Sequence, residues 1–389
     1  MASKLDLKLI NPARYEQWKT ALKCETYPDE TLNFSSEESD LELGVNLKQL
    51  KDWKAALEKL DVHKLEEEIK QFEHYTARIE DCRVHFIHER SGNPNAVPIL
   101  ILHGWPGTFW DFKKIIKPLA HPIDPNHPSF HVVAPSLPGY GFSSLPRTRK
   151  FTTVDIARIF DTLMTKVLGY SRYFGQGGDW GAHILRATAE HHSDNAPFIH
   201  FNMFYCAEPN WVADAEKGRF WGLNETEINA LRRADEFIEF GKGYSAIQST
   251  KARYTVGVSP LALLAYIGEK MQAWSDPDLW DVNNLLETVA IYYFTESFHT
   301  SVMIYLQNDD IRAAFVSPSS WGKLKSKLGI SAFPYEIVIH PRSWIENCGS
   351  VVQYNTHTRG GHFPALDNPD ALIADLRELI TAYWPADNK

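Results

Sequence analysis

Gly177-Gly178-Asp179-Trp180-Gly181 stands one residue after the apolar run Tyr173-Phe174-Gly175. Small residues two before and two after a central acid suit a sharp strand-to-helix elbow, because they let the backbone turn without a Cβ clash. Such an elbow lifts its central side chain out at the end of a strand, where it can act as a nucleophile. A tight turn with a helix-capping Asp has the same local sequence, so Asp179 gains a chemical reading only from partners. Two follow it. Arg359-Gly360-Gly361-His362-Phe363 sets a His in a Gly-rich loop after the run VVQYNTHT, and Phe333-Pro334-Tyr335-Glu336 offers a carboxylate that can orient the imidazole and stabilise its charged form. Asp309 or Asp310, in a loop-like stretch, is an alternative source of that carboxylate. Ahead of the elbow, His103-Gly104-Trp105-Pro106-Gly107 follows the apolar run Ile99–Leu102. There the backbone N–H of Trp105, with that of Trp180, can hold a developing negative oxygen. His103, Gly104, Pro106 and Phe363 are the expected substrate contacts beside this group.

An Asp at the elbow changes the reaction class. A Ser must lose a proton before it attacks, whereas a carboxylate is already anionic at neutral pH and gains from the N-terminus of the helix that follows. It can attack an sp³ carbon directly and leave an ester on the enzyme. The His is then free to deprotonate a water that attacks the ester carbonyl, and only at that step is an oxyanion site useful. This logic selects alkylating substrates, epoxides or haloalkanes, over esters and amides. An opening epoxide needs a proton donor for its alkoxide, so acidic hydroxyls facing the nucleophile favour epoxides over halides.

These residues need a scaffold that brings strand ends together. From Val84 onward short apolar runs (VHFIH, VPILILHG, FHVVAPS, RYFGQGG), each closed by Gly or Pro, alternate with helix-like stretches such as Thr153–Val167. That rhythm predicts a mainly parallel sheet covered on both faces. It is interrupted by a mostly helical stretch and resumes with FPYEIVIHP and VVQYNTHT, both strand-like. A last helix is signalled by Asn368 as its cap, Pro369 in its first turn and an apolar face of Leu372, Ile373, Leu376, Leu379 and Ile380. Near the start, Leu47, Leu50, Trp53, Leu57 and Leu60 form an amphipathic stripe that must pack on something. The expected division is an N-terminal helical and irregular segment (1–80), an α/β core (81–205 and 319–389) and a helical roof (206–318) over the C-terminal ends of the strands. Nucleophile, acid and His in that chain order fit the α/β-hydrolase fold.

Composition agrees with a globular protein. The 389 residues are 44% hydrophobic and 23% charged, with 12 Trp, 16 Tyr and 21 Phe, enough for a large core with deep apolar pockets. A net charge of −9 without runs of like charge argues against nucleic acid as a partner. No secretion-type h-region and no run of about 18 apolar residues stands in the sequence, so a soluble cytoplasmic protein is expected. Four scattered cysteines (Cys24, Cys82, Cys206, Cys348) read as reduced thiols, and the adjacent His191-His192 cannot both face one ion on a regular helix.

Taken together, HGWPGTFWDF, SLPGYGFSS, GGDWG, FPYE and RGGHF resemble the microsomal-type epoxide hydrolases, including soluble fungal members, over nearly the whole chain. Gly243–Lys251 and Ser259–Lys270 match the family's roof, and Val45–His74 its N-terminal wrapping segment. The resemblance implies Asp179 as nucleophile, His362 as base, Glu336 as its orienting acid, and Tyr244 and Tyr305 as roof hydroxyls that polarise the epoxide oxygen. It implies a small hydrophobic epoxide as substrate, no metal or organic cofactor, and a homodimer built on the N-terminal segment; the membrane anchor that some family members carry is not expected here. After Lys251 the chain departs from the family's usual Pro and runs about three residues shorter, which alters the roof near the pocket. A haloalkane dehalogenase, or an epoxide-opening cyclase or ligand-binding protein on the same fold, are the competing readings.

Overall fold

The computed structural model describes residues 1–27, 44–147, 150–213, 217–250, 256–308 and 323–384. Nine strands form one sheet: β1 (Ser3–Lys4), β2 (His74–Ile79), β3 (Cys82–Glu89), β4 (Val97–Leu102), β5 (Phe130–Pro135), β6 (Phe174–Gly177), β7 (Phe198–Phe201), β8 (Leu324–Ala332) and β9 (Gly349–Thr356). Their order is β1-β2-β3-β5-β4-β6-β7-β8-β9. From β5 across to β9 the pairing is parallel, and β1, β2 and β3 add an antiparallel edge. The apolar runs are buried because helices cover both faces: Ile99, Leu100 and Ile101 of β4 have no exposed surface. From β4 the chain passes outward to β5, then crosses back to β6 on the other side. The crevice at this reversal, between the C-terminal ends of β4 and β6, is where ligands bind in such sheets.

Several elements differ from the sequence reading. β2 lies inside the stretch expected to be helical and irregular; its residues pair fully with β3, and this tertiary partner overrides a weak local signal. FPYEIVIHP is not a strand. The strand is the preceding Lys-bearing segment β8, and 333–340 runs irregularly between Pro334 and Pro341, held by isolated bridges of Tyr335 to Gly361 and Ile339 to Phe204. Proline removes a ladder donor, which makes a continuous central strand there unfavourable. Asn368 does precede the C-terminal helix (Pro369–Tyr383), but its side chain does not cap it; its Nδ2 donates to the Arg359 carbonyl at 3.1 Å.

The N-terminal helices are α1 (Pro12–Cys24), α2 (Leu47–Leu57) and α3 (Val62–Ile69). In the core follow α4 (Ile116–Ala120), α5 (Thr153–Thr162) and α6 (Asp179–His191). Between β7 and β8 lie α7 (Glu225–Glu236), α8 (Gly243–Gln248), α9 (Pro260–Ala273), α10 (Val282–Phe294), α11 (Phe298–Ser301) and α12 (Met303–Gln307). The stripe on α2 packs on this helical roof: a Cβ on Gly268 of α9 would stand 2.4 Å from the Trp53 ring. Trp18 of α1 lies edge-on to Tyr293 of α10 at 4.9 Å, and Arg14 Nε donates to the Tyr293 carbonyl at 3.4 Å. The first three helices therefore brace the roof from outside. Among the described residues no helix is long and apolar enough to cross a membrane.

Candidate active site

β6 ends at Gly177 and α6 begins at Asp179, so the chain reverses over a single intervening residue. Asp179 takes φ +47°, a left-handed conformation that costs a non-glycine residue energy and persists only where the surroundings impose it. Gly181 allows the elbow to press on β4: a Cβ there would lie 2.2 Å from the Leu102 carbonyl oxygen. The loop after β4 passes equally close. The Trp105 N–H donates to Asp179 Oδ1 at 2.8 Å. Trp180 occupies the first turn of α6, where backbone N–H groups have no intrahelical acceptor.

The loop after β9 brings His362 to the other carboxylate oxygen, with Nε2 3.5 Å from Asp179 Oδ2. Its Nδ1 lies 2.5 Å from Glu336 Oε1. Glu336 is 1% exposed, and also accepts from Ile337 N at 2.8 Å and Asn202 Nδ2 at 3.2 Å. The alternative acids Asp309 and Asp310 lie outside the described residues. Burial opposes charge on the imidazole, but the Glu336 and Asp179 carboxylates outweigh it and raise His362 to about 10. The loop is tied to the roof: His362 N donates to the Trp274 carbonyl at 2.8 Å, while Asp276 accepts from Gly360 N at 2.9 Å and Arg359 Nε at 2.8 Å.

Across from Asp179 stand the two roof tyrosines. Tyr244 of α8 stacks on the Trp105 ring at 5.1 Å, and Tyr305 of α12 meets Trp180 edge-on at 4.8 Å. The two phenol rings are 6.0 Å apart. Burial pushes both hydroxyls well above the ordinary tyrosine range. Both are protonated donors at neutral pH. With Asp179 and Trp180 they line a cavity of about 300 Å³ whose other walls include Met203, Phe237, Ile337 and Val338.

The expected substrate contacts fare differently. His103 has both ring nitrogens on backbone: Nδ1 3.0 Å from the Gly104 carbonyl, and Nε2 accepting from Leu137 N at 3.1 Å. Burial lowers it to about 4, so it is a neutral strut between loops with no nitrogen left for a ligand. Gly104 provides clearance for Asp179, whose Oδ1 would be 2.2 Å from a Cβ placed there. Pro106 lines neither the large cavity nor a second, smaller one. Phe363 borders the smaller one, which shares only Asp179 with the large cavity and is also lined by His362, Gln176, Asn202 and Asp111.

The last three residues were missed in the sequence. Asp111 was legible as the fourth residue of a Thr-x-x-Asp capping box; its Oδ1 accepts from Thr108 N at 3.1 Å, and burial raises its carboxyl to about 7. Asn202 follows β7, and a polar residue just beyond a strand's C-terminal end was its available signal. Gln176, inside β6, carried none.

This geometry has clear relatives. The family described as "Epoxide hydrolase N terminus" matches residues 8–112, and the family described as "alpha/beta hydrolase fold" matches residues 97–220. A putative epoxide hydrolase of Stigmatella aurantiaca is 33% identical over 332 residues, 82% of this chain and 72% of that protein. Epoxide hydrolase 1 of Sus scrofa is 31% identical, covering 82% and 76%. The solved structure of Aspergillus niger epoxide hydrolase superposes with a TM-score of 0.87 at 30% identity, over 99% of this chain and 97% of that one. The juvenile hormone epoxide hydrolase of Bombyx mori does so with a TM-score of 0.85 at 25% identity, over 98% and 94%. With an elbow acid, a paired His and this likeness along nearly its whole length, the chain belongs to the epoxide hydrolase family of the α/β-hydrolase superfamily.

Proposed function

We propose that this enzyme opens a small hydrophobic epoxide through a covalent ester on Asp179 and releases a vicinal diol. The observation that carries the reading is one carboxylate held at a left-handed elbow, with the Trp105 N–H on one oxygen and His362 beside the other. A carboxylate oxygen of Asp179 attacks an epoxide carbon, the C–O bond breaks, and its electron pair passes to the ring oxygen. Tyr244 and Tyr305 donate hydrogen bonds to that oxygen and supply its proton. An alkoxide is a stronger base than a tyrosinate, so transfer stays downhill even for buried phenols.

The second half uses the charge that the first half removes. In the resting site His362 is protonated, flanked by two carboxylates. Once Asp179 is an ester its charge is gone, and with it one of the two supports of the imidazolium; Glu336 alone then opposes burial. The weakened acid gives up its proton, which restores the tyrosinate left by ring opening, and the neutral ring then takes a proton from water as that water attacks the Asp179 carbonyl carbon. The tetrahedral oxyanion is held by the N–H groups of Trp105 and Trp180, then collapses to release the diol and regenerate the carboxylate.

The test uses a panel of aryl and alkyl epoxides. Wild-type protein should form diol, and Asp179→Ala should form none. His362→Gln should still be alkylated, so intact-mass spectrometry should find protein plus substrate mass. Diol from Asp179→Ala, or only unmodified His362→Gln after exposure to epoxide, would refute the covalent route.

A further inference from the structure

In the smaller cavity beside Asp179, Gln176 presents a buried acceptor that no protein group among the described residues satisfies. Glu336 fixes the orientation of two neighbouring amides. Its carboxylate accepts from Asn202 Nδ2 at 3.2 Å, so the Asn202 carbonyl faces the other way and takes Gln176 Nε2 at 3.0 Å. Gln176 Oε1 is therefore the free end of the chain Glu336–Asn202–Gln176, and among the described residues it has no hydrogen-bond partner although the residue is 1% exposed. A buried carbonyl of this kind requires a donor. Gln176, Asp179 and His362 all line the same cavity of about 40 Å³. A single water needs roughly 10–15 Å³, so there is room for about three.

We propose that this small cavity seats the water that hydrolyses the Asp179 ester, and that Gln176 Oε1 holds it. The inference rests on the covalent reading above. A water there can donate one hydrogen to Gln176 Oε1 and the other to His362 Nε2, leaving a lone pair for the Asp179 carbonyl carbon. When it attacks, the O–H bond to the His362 side breaks, the proton passes to Nε2, and the new C–O bond forms on Asp179. The small cavity shares only Asp179 with the large one, so the water need not compete with substrate for the large cavity.

The experiment separates the two chemical steps by rapid quench with an aryl epoxide, using Gln176→Leu and, as an unbranched second variant, Gln176→Met. Ester hydrolysis should slow by about 10- to 100-fold, the scale of losing the position of a reacting atom. Alkylation should stay within about twofold. Because kcat/KM reports events up to alkylation, kcat and KM should fall together while kcat/KM holds and the ester accumulates. The apparent pKa of the hydrolysis step should not move, since His362 and Glu336 keep their contact. A parallel fall in kcat and kcat/KM, a shifted pKa, or hydrolysis at the wild-type rate would each overturn the assignment. His362→Gln run alongside tells the two proposals apart: no ester there removes both, whereas ester there with unimpaired hydrolysis in the Gln176 variants removes only the water seat.

Discussion

Gly104→Ala should disable Asp179 without replacing any group proposed to react. A Cβ at this position would stand 2.2 Å from Asp179 Oδ1, 2.3 Å from its Cβ and 2.5 Å from its Cγ. Ordinary contact begins near 3.4 Å, so the loop and the side chain must separate by about 1.2 Å, the difference between 3.4 and 2.2 Å. The elbow cannot give way easily, because Gly181 already lies against the Leu102 carbonyl. The loop must then retreat, carrying with it the Trp105 N–H that bonds Oδ1 at 2.8 Å. A misplacement of about 1 Å costs on the order of 100-fold in rate, near 2.7 kcal/mol of barrier, and loss of an oxyanion donor costs a similar factor in the second step. We expect kcat/KM for an aryl epoxide to fall about 100-fold and ester hydrolysis to slow as well, measured by rapid quench. The comparison is Gly243→Ala beside Tyr244, where a Cβ meets nothing within 4 Å and activity should be unchanged. Gly104→Ala within about threefold of wild-type kcat/KM, at an unaltered thermal midpoint, would refute the steric argument.

The Tyr244→Phe/Tyr305→Phe double variant should abolish ring opening and each single variant slow it about 100-fold, read as the alkylation rate; near-normal rates in the double variant would remove the tyrosines from the chemistry. His362, raised to about 10 from 6.5, contributes stability that is complete below pH 6.5 and is lost as pH rises through 10. Asp179→Asn removes one of the supporting charges, so the imidazole titration followed by NMR should move to lower pH; an unmoved midpoint would mean that alkylation does not release the base. Asp276→Ala leaves the buried Gly360 N–H without its acceptor and should cost about 1–3 kcal/mol in denaturant unfolding, with lower activity because the same loop carries His362. Unchanged stability would show that the roof does not hold that loop.

Much of the scaffold is written locally. An apolar run closed by Gly177-Gly178-Asp179-Trp180-Gly181 can turn in few ways, so the elbow was legible from residue type alone. The buried strands β4, β5 and β6 announced themselves as continuous apolar runs because both their faces are covered. The amphipathic C-terminal helix was equally plain, since all five residues of its predicted face are buried. Where a local signal competed with a remote partner, it failed. β8 carries Lys325 and Lys327 and pairs with β7 and β9 nonetheless, while the more strand-like FPYEIVIHP yields to its prolines and runs irregularly. Asn368 has the sequence of a cap and spends its amide on Arg359.

The functional group divides the same way. Asp179 and His362 could be picked from their own neighbourhoods, because an acid at a glycine-flanked elbow and a His in a glycine-rich loop both stand out locally. Choosing Glu336, and finding Asn202 and Gln176 behind it, required the sheet order that sets β4, β6, β7 and β8 side by side. The chain Glu336–Asn202–Gln176 joins residues up to 160 positions apart, and its last acceptor is defined only by which carboxylate lies at the first. Charge state follows the same rule: His362 is raised by carboxylates that no periodicity brings near it. Sequence determines the elements because backbone geometry and hydrophobic periodicity act over a few residues. Proximity, desolvation and unmet hydrogen bonds are properties of assembled neighbours, and only the tertiary structure decides those.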